Sequence, residues 1–441
     1  MSQPALAPPS AVATPRRIAA LALPALVVLA AEPLYVLVDT VVVGHLGRLP
    51  LAALAVAGTV MTLIAWLGSV LAYGITGRAA RRFGSGDRAA AVAEGVQASW
   101  LAFGVGVLAA LGMQLGAGPL TDALAGAGEV AEAAERWLRV AVLGAPGLLL
   151  AAAGNGWLRG VQDTRRPLWF VLGPNLLSAL LCPLLVYPLG WGLTGSAVAN
   201  VTAQTLSGAL FAAALANERV SLRPRPRVIR QQLVLSRDLL VRGVAFQASF
   251  LSATAVAARF GAAAVGAHQI AVQLWFFTAL VLDALAIAAQ ALIGAALGAG
   301  DAAAARALAR RVALLGAGCG VAFAVVIAAG AGVVPGLFSP DEQVRQQAMV
   351  AWPWLVALQP IGGVVFALDG VLIGAGDVRY LRNLTLVAAF GGFLPAIWLA
   401  YAFDLGLGGI WAGLTLFVLL RLAALLLRLR SGGWAVVGAV R

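Results

Sequence analysis

The sequence predicts an all-α integral membrane protein of about twelve transmembrane helices, in two six-helix lobes related by a pseudo-two-fold axis along the membrane normal. Three observations carry this. The 441 residues are 61% hydrophobic and only 11% charged, with a mean hydropathy of +0.93. A soluble domain carries about 25% charged residues, so this chain has too little polar surface to face water alone. Its apolar residues fall in twelve runs long enough to cross a bilayer, for which about 20 residues suffice. Finally, the chain repeats itself at a spacing of 214 residues.

The elements follow in order. Residues 1–16, rich in Ala and Pro, are expected to form a disordered tail. Arg16 and Arg17 introduce the apolar run Ile18–Val43. This run exceeds the ~7–15 apolar residues of a signal peptide, so it reads as the first helix, at 17–44. Further helices are expected at 50–76, 89–113, 133–158, 168–188 and 193–215, which completes an N-terminal lobe over 17–216. A basic linker, expected to be cytoplasmic, covers 217–237. The second lobe, 238–430, holds helices at 239–260, 264–296, 303–334, 346–373, 381–402 and 407–428, before a tail at 431–441.

Charge sets the expected orientation. All 30 basic residues are arginine. With a cytoplasmic N-terminus, 25 of them fall on the cytoplasmic side, leaving only Arg48, Arg136, Arg139, Arg259 and Arg345 opposite. That bias matches the positive-inside rule and puts both termini in the cytoplasm. The lack of lysine, with heavy Ala and Gly usage, suggests a GC-rich bacterial genome and hence a bacterial plasma membrane. The net charge of +12 is then explained by basic loops beside anionic lipid, and no nucleic-acid partner is expected. Cys182 and Cys319 lie in apolar stretches and imply no disulfide framework.

The repeat is specific to loops. At the 214-residue offset, Gly84, Gly86 and Asp87 fall on Gly298, Gly300 and Asp301. Gly156, Gly160, Asp163 and Arg165 fall on Gly370, Gly374, Asp377 and Arg379. Gly192, Leu193 and Gly195 fall on Gly406, Leu407 and Gly409, and Gly47 on Gly261. Each copy holds an even number of spans, so the copies share one orientation, and such repeats usually place a substrate path at their interface. The glycines suit tight, positive-φ turns. The Asp residues are expected to cap the following helix or pair with arginine. No strand precedes these loops and no lysine follows, which excludes a nucleotide-binding reading.

Charged groups at membrane depth cost at least ~2.5–3.5 kcal/mol and are functional candidates by default. Four carboxylates lie well inside the expected spans: Glu32, Asp39, Asp283 and Asp369. Glu32, Tyr35 and Asp39 stand at i, i+3 and i+7, on one helix face. Pro24 and Pro33 interrupt the ladder of that helix and let it bend. Asp39 is the expected proton-coupling residue, with Glu32 and Tyr35 beside it as cavity candidates. On the eighth helix Asp283 and Gln290 share a face and Gln269 stands nearer its start, and all three are candidate cavity residues. Asp369, just before Gly370, reads as structural. His45 and His268, the only histidines, read as structurally satisfied, and no cluster of His, Cys and carboxylate suggests a metal.

At Pro33-Leu34-Tyr35-Val36-Leu37-Val38-Asp39-Thr40-Val41-Val42-Val43-Gly44-His45-Leu46-Gly47 the chain resembles the multidrug and toxic compound extrusion (MATE) family, and its DinF-like branch in particular. The stretches Ala267–Ile270, Leu282–Gly294 and Asp369–Asp377 match as well. The resemblance implies two six-helix lobes around a V-shaped cavity. It also implies export of cationic or amphipathic compounds against proton or sodium entry, with the first-helix acid at Asp39. One departure stands out. Relatives carry an Asn and an Asp four apart on the fifth helix before a proline. Here Pro183 puts Ser178 and Cys182 in those places, with Asn175 a turn earlier, and all three are cavity candidates. The seventh-helix acid of the sodium branch falls near Phe246 or Gln247. A hard cation needs several oxygen ligands, so protons are expected rather than sodium.

The expected protein is thus a proton-coupled exporter of organic cations or amphipaths, working as a monomer in lipid without a cofactor. Sodium coupling, or a lipid flippase of the same superfamily, are the alternatives. An intramembrane enzyme would need paired acids for metal–diphosphate binding or a phosphate-binding cluster. Neither is present, and no enzymatic activity is expected.

Overall fold

The computed structural model describes residues 14–439, and every regular element among them is helical. The helices are α1 (Pro15–Gly44), α2 (Arg48–Gly84), α3 (Arg88–Ala125), α4 (Glu129–Ala141), α5 (Ala145–Gly160), α6 (Arg165–Val186), α7 (Gly192–Ala216) and α8 (Pro226–Arg259). They continue as α9 (Ala262–Gly298), α10 (Ala302–Ala329), α11 (Val334–Phe338), α12 (Glu342–Gly374), α13 (Val378–Ala388), α14 (Leu394–Ala402) and α15 (Gly406–Ser431). Counting α4–α5 and α13–α14 as single crossings, the described residues supply 12 helices long and apolar enough to span a bilayer. In lipid each backbone polar group needs an internal partner, and a helix provides one within its own segment.

Two crossings are locally irregular, each beside a proline. Pro146 cannot donate to the Val142 carbonyl, and the chain passes through a 3₁₀ turn at Val142–Gly144 between α4 and α5. Pro395 likewise cannot serve the Gly391 carbonyl, and a π turn at Ala389–Phe393 joins α13 to α14. Such departures are the usual response to a missing ladder bond.

The chain divides into two compact units. One is Leu23–Ser236. The other runs from Arg237 onward and takes in the opening of α1 as far as Ala22. The 214-residue repeat reappears in each. Gly47 and Gly261 both take positive φ, at 118° and 108°, as do Gly86 and Gly300, at 85° and 81°. Asp87 Oδ1 accepts from Ala90 N at 2.8 Å and Asp301 Oδ1 from Ala304 N at 2.7 Å, so the paired aspartates cap α3 and α10 as expected. A Cβ at Gly156 would strike the Ala72 backbone, and one at Gly370 the Ala286 backbone. These contacts are the same pair displaced by one repeat, and small residues at such places let membrane helices pack backbone to backbone.

Several expected boundaries change. The described part of the 1–16 tail is not irregular at its end: Pro15, suited to a first helical turn, opens α1, and positions 1–13 lie outside the described residues. The expected linker 217–237 is only partly loop, because α8 starts at Pro226. The loop that remains is strapped to α3. Gln97 Nε2 donates to Arg223 O at 3.1 Å and Gln97 Oε1 accepts from Arg225 N at 2.5 Å. Trp100 Nε1 donates to Leu222 O at 2.8 Å. The span expected at 303–334 ends at Ala329, and α11 is separate. In the tail beyond α15, Trp434 is buried and Gly438 N donates to Leu297 O at 3.0 Å.

Candidate functional site

A cavity of about 450 Å³ lies within the unit Leu23–Ser236, lined from α1, α2, α4, α5, α6 and α7. That size suits a drug-sized molecule. Glu32, Tyr35 and Asp39 all line it, as their shared helix face requires. Pro33 lies between them and cannot donate to the carbonyl of Leu29, another lining residue. The α1 ladder therefore lacks one bond beside the cavity.

Asp39 is met by side chains of two other helices. It is 4% exposed. Cys182 Sγ on α6 donates to its Oδ1 at 3.3 Å. The hydroxyl of buried Ser196 on α7 faces the carboxylate as well. Trp137 Nε1 on α4 donates to Ser196 Oγ at 3.1 Å, which leaves the serine proton for the carboxylate. Trp137, Ser196, Asp39 and Cys182 thus bring four helices together. None of the ion pairs among the described residues includes Asp39 or Glu32. Glu32 is accessible where Asp39 and Tyr35 are buried.

The other sequence candidates separate into two sets. Asn175 lines the cavity, and its Nδ2 donates to Val171 O at 2.9 Å. Ser178 and Cys182 are fully buried. The Tyr35 phenol faces Ser178 and Asn200, although neither its Oη nor Ser178 Oγ makes a hydrogen bond of normal geometry. Cys182 therefore stands against the first-helix acid with a thiol where relatives were expected to carry a carboxylate. Gln269, Asp283 and Gln290 sit on α9, in the other unit. Gln269 is exposed, Asp283 half-buried, and Gln290 buried with its Oε1 unpartnered. None of these three is among the residues lining the cavity of Leu23–Ser236.

The remaining polar residues resolve as follows. Asp369 is clamped by Arg242 and Arg421, both on its Oδ2, with the Arg421 and Arg242 guanidinium groups 4.7 and 5.4 Å from the centre of the Phe246 ring. Its structural reading stands. His45 Nδ1 contacts Val41 O at 2.7 Å. His268 is not satisfied as the sequence suggested. It is 2% exposed, packs on Trp411 with ring centroids 6.1 Å apart, and neither ring nitrogen has a hydrogen-bond partner.

Sequence reasoning also missed residues. Glu94 is a further buried carboxylate, bound by Arg78 Nε at 2.8 Å and Gln232 Nε2 at 3.1 Å. It stands near an expected span end, and side chains from α2 and α8 close over it. Asn200 and Gln204, one turn apart on α7, both line the cavity, with Gln204 Nε2 donating to Asn200 Oδ1 at 2.5 Å. Their i, i+4 spacing inside an apolar run was a usable signal. Asn155 and Arg159 line it from α5 in the same i, i+4 relation. Outside the spans, a hydrogen bond from Arg88, aided by Arg166, holds the Glu218 carboxyl below the usual carboxylate range.

Comparison with known proteins agrees with this architecture. The MatE family pattern matches residues 24–184 and 239–401, one block in each repeat. Protein DETOXIFICATION 44, chloroplastic, of Arabidopsis thaliana is 34% identical over 95% of this chain and 83% of its own length. DNA damage-inducible protein F of Escherichia coli is 32% identical over 94% of this chain and 92% of its own. A crystal structure of a MATE in the bent conformation superposes with a TM-score of 0.87 at 22% identity, covering 95% of this chain and 94% of that one. At that identity the likeness speaks for the fold alone.

Proposed function

The chain belongs to the MatE family of multidrug and toxic compound efflux transporters and is a multi-pass membrane protein, and from that premise we propose that it is a proton-coupled antiporter that exports organic cations or amphipathic compounds. In this reading it is no enzyme and needs no cofactor, and a single chain suffices. It sits in a bacterial plasma membrane with both termini cytoplasmic, in line with the arginine bias of its loops.

One observation carries the reading. Asp39 is a buried carboxylate on the cavity wall; a thiol donates to it and a hydroxyl faces it, and no arginine pairs with it among the ion pairs of the described residues. A carboxylate paired with arginine would stay ionised. One supported only by neutral donors can exchange a proton for a cationic substrate in the same place. Access to the cavity then alternates between the two sides of the membrane, and entry of a proton on one side expels the cation on the other. The donors at Asp39 also favour protons over sodium, because a thiol is a poor ligand for a hard cation.

The test is reconstitution into liposomes, with a proton or a sodium gradient imposed separately and a fluorescent organic cation as reporter. Proton-driven movement that disappears in Asp39→Asn is the expected result. Movement driven by sodium and indifferent to protons would overturn the coupling. If no cation moves under either gradient while a labelled lipid does, the chain is a flippase.

A further inference from the structure

The loop between α7 and α8, strapped to α3, carries more charge than its contacts use. Between Glu218 and Asp238 the sequence holds six arginines and no acid. Four of them, Arg223, Arg225, Arg227 and Arg230, are exposed and enter no ion pair among the described residues. Their backbone is nonetheless fixed. Gln97, buried on α3, donates to the Arg223 carbonyl and accepts from the Arg225 N–H. Pro224 and Pro226 favour extended backbone in the residues before them. In extended backbone, residues two apart point to one side at a spacing of about 7 Å, so Arg223 and Arg225 leave the loop together. Charged groups on an ordered backbone lose little freedom when they bind. The helix beneath indicates which anion they meet. The Trp100 indole donates to Leu222 O, so the loop crosses α3 at that level. Trp100 is exposed, and Phe103, Leu108, Leu111 and Leu115 continue along the same exposed helix face. An exposed tryptophan on a membrane helix marks the level of the lipid headgroups, and the apolar stripe beyond it faces acyl chains. The arginines therefore stand where the phosphates of a leaflet lie.

We propose that Arg223, Arg225 and Arg227, with the exposed face of α3 below Trp100, form a docking surface for an anionic phospholipid. The phosphate lies against Arg223 and Arg225, whose planar guanidinium groups suit its oxygens, and the acyl chains cover the stripe on α3. Basic loops elsewhere in the chain share a general attraction to an anionic leaflet. This loop differs in joining closely spaced, unpaired arginines on pinned backbone to a lipid-facing stripe directly below. The leaflet is the cytoplasmic one in the proposed topology, but binding in detergent is indifferent to orientation, so its failure would leave that topology standing.

The experiment is lipid binding to the purified full-length chain in detergent, followed by native mass spectrometry. The probes are phosphatidylglycerol, phosphatidylcholine with the same acyl chains, and glycerol phosphate, which has the anionic headgroup chemistry without the chains. An arginine near an anionic lipid surface contributes about fivefold in affinity. The wild type is therefore expected to bind phosphatidylglycerol at least about tenfold more tightly than phosphatidylcholine, and the triple variant Arg223→Gln, Arg225→Gln, Arg227→Gln to cut that preference to about twofold or less. A control triple variant, Arg306→Gln, Arg310→Gln, Arg430→Gln, removes the same charge from exposed arginines elsewhere and should keep the preference. The ratio between two lipids separates recognition from fold damage, which weakens both alike. Equal losses in the two triple variants would show a diffuse attraction and overturn the site. So would a wild type without preference, or a preference that survives the loss of Arg223, Arg225 and Arg227. Displacement of phosphatidylglycerol by an equal concentration of glycerol phosphate would make this a site for soluble anions and overturn the lipid assignment.

Discussion

The two repeats share a scaffold and differ in what they do with a buried charge. At the position that is Asn155 in the unit Leu23–Ser236, the other repeat carries Asp369, 214 residues on. Asn155 faces a cavity with one polar atom unpartnered. Asp369 is clamped between Arg242 and Arg421, which stack on Phe246. The glycine of each pair, Gly156 or Gly370, packs on the same place of the neighbouring helix, at Ala72 or Ala286. A duplicated backbone has thus been kept while the charges diverged. One copy leaves Asp39 and Glu32 without arginine partners beside an open space, and the other neutralises its acid inside a packed cluster.

The sharpest way to break that contrast is to remove each acid in turn. Asp39→Asn keeps the shape and most donors of the site, so little folding stability is at stake. If Asp39 is the group that exchanges a proton for a cation, as proposed, proton-driven transport in liposomes should nevertheless fall by at least about a hundredfold. Asp369→Asn should do the reverse. Breaking a buried pair from one side costs about 3–5 kcal/mol because it strands the opposite charge, and here two guanidinium groups are stranded. Thermal unfolding in detergent should show a large loss of stability. A stable Asp369→Asn protein with defective transport would mean that this cluster takes part in coupling and that the contrast between the repeats is wrong.

Much of this was legible from the sequence, and what was not has a common cause. The spans follow from apolar run length, the repeat from one ungapped offset, and the α1 stripe from helical periodicity. These are local properties. The surroundings of Asp39 are not local: Cys182, Ser196 and the Trp137 that bonds Ser196 come from three different helices, and no spacing in the chain announces that they meet. Glu94 was missed for a related reason. Glu94 lies only five residues inside the expected span, where a charge reads as a solvated helix end, yet Arg78 from α2 and Gln232 from α8 close over it. His268 shows the opposite error, because a general expectation of satisfaction says nothing about the particular neighbours a buried ring meets.

Support around Asp39 should matter less than Asp39 itself. Ser196→Ala removes the hydroxyl that lies between Trp137 and the carboxylate and leaves a buried indole N–H without its acceptor. A net hydrogen-bond contribution of about 1 kcal/mol, with a further penalty for the stranded donor, predicts a loss of roughly 1–3 kcal/mol in stability. Because Cys182 still donates to Asp39, proton-driven transport should survive at a reduced level. Complete loss of transport in a well-folded Ser196→Ala protein would move the proton-exchanging role from Asp39 alone to the Ser196–Asp39 pair.

The smallest effect is expected where the repeats diverge on the surface. Gly432, which ends α15 in a left-handed conformation at φ 69°, is the counterpart of Glu218, 214 residues earlier. Glu218 instead ties the loop after α7 to α3 and α6 through Arg88 and Arg166. The folded-state pKa of this carboxyl is depressed by the Arg88 hydrogen bond, so its stabilising contribution is present above the ordinary carboxylate value and is lost as pH falls through the folded value. The pair is partly open to solvent, and exposed pairs contribute about 0.2–1 kcal/mol. Glu218→Gln should therefore unfold slightly more easily than the wild type near neutral pH, and the two melting curves should converge as the pH is taken below the usual carboxylate range. A difference that persists in acid would show that Glu218 holds the loop by packing rather than by charge. The first repeat would then differ from the second at this corner in shape alone.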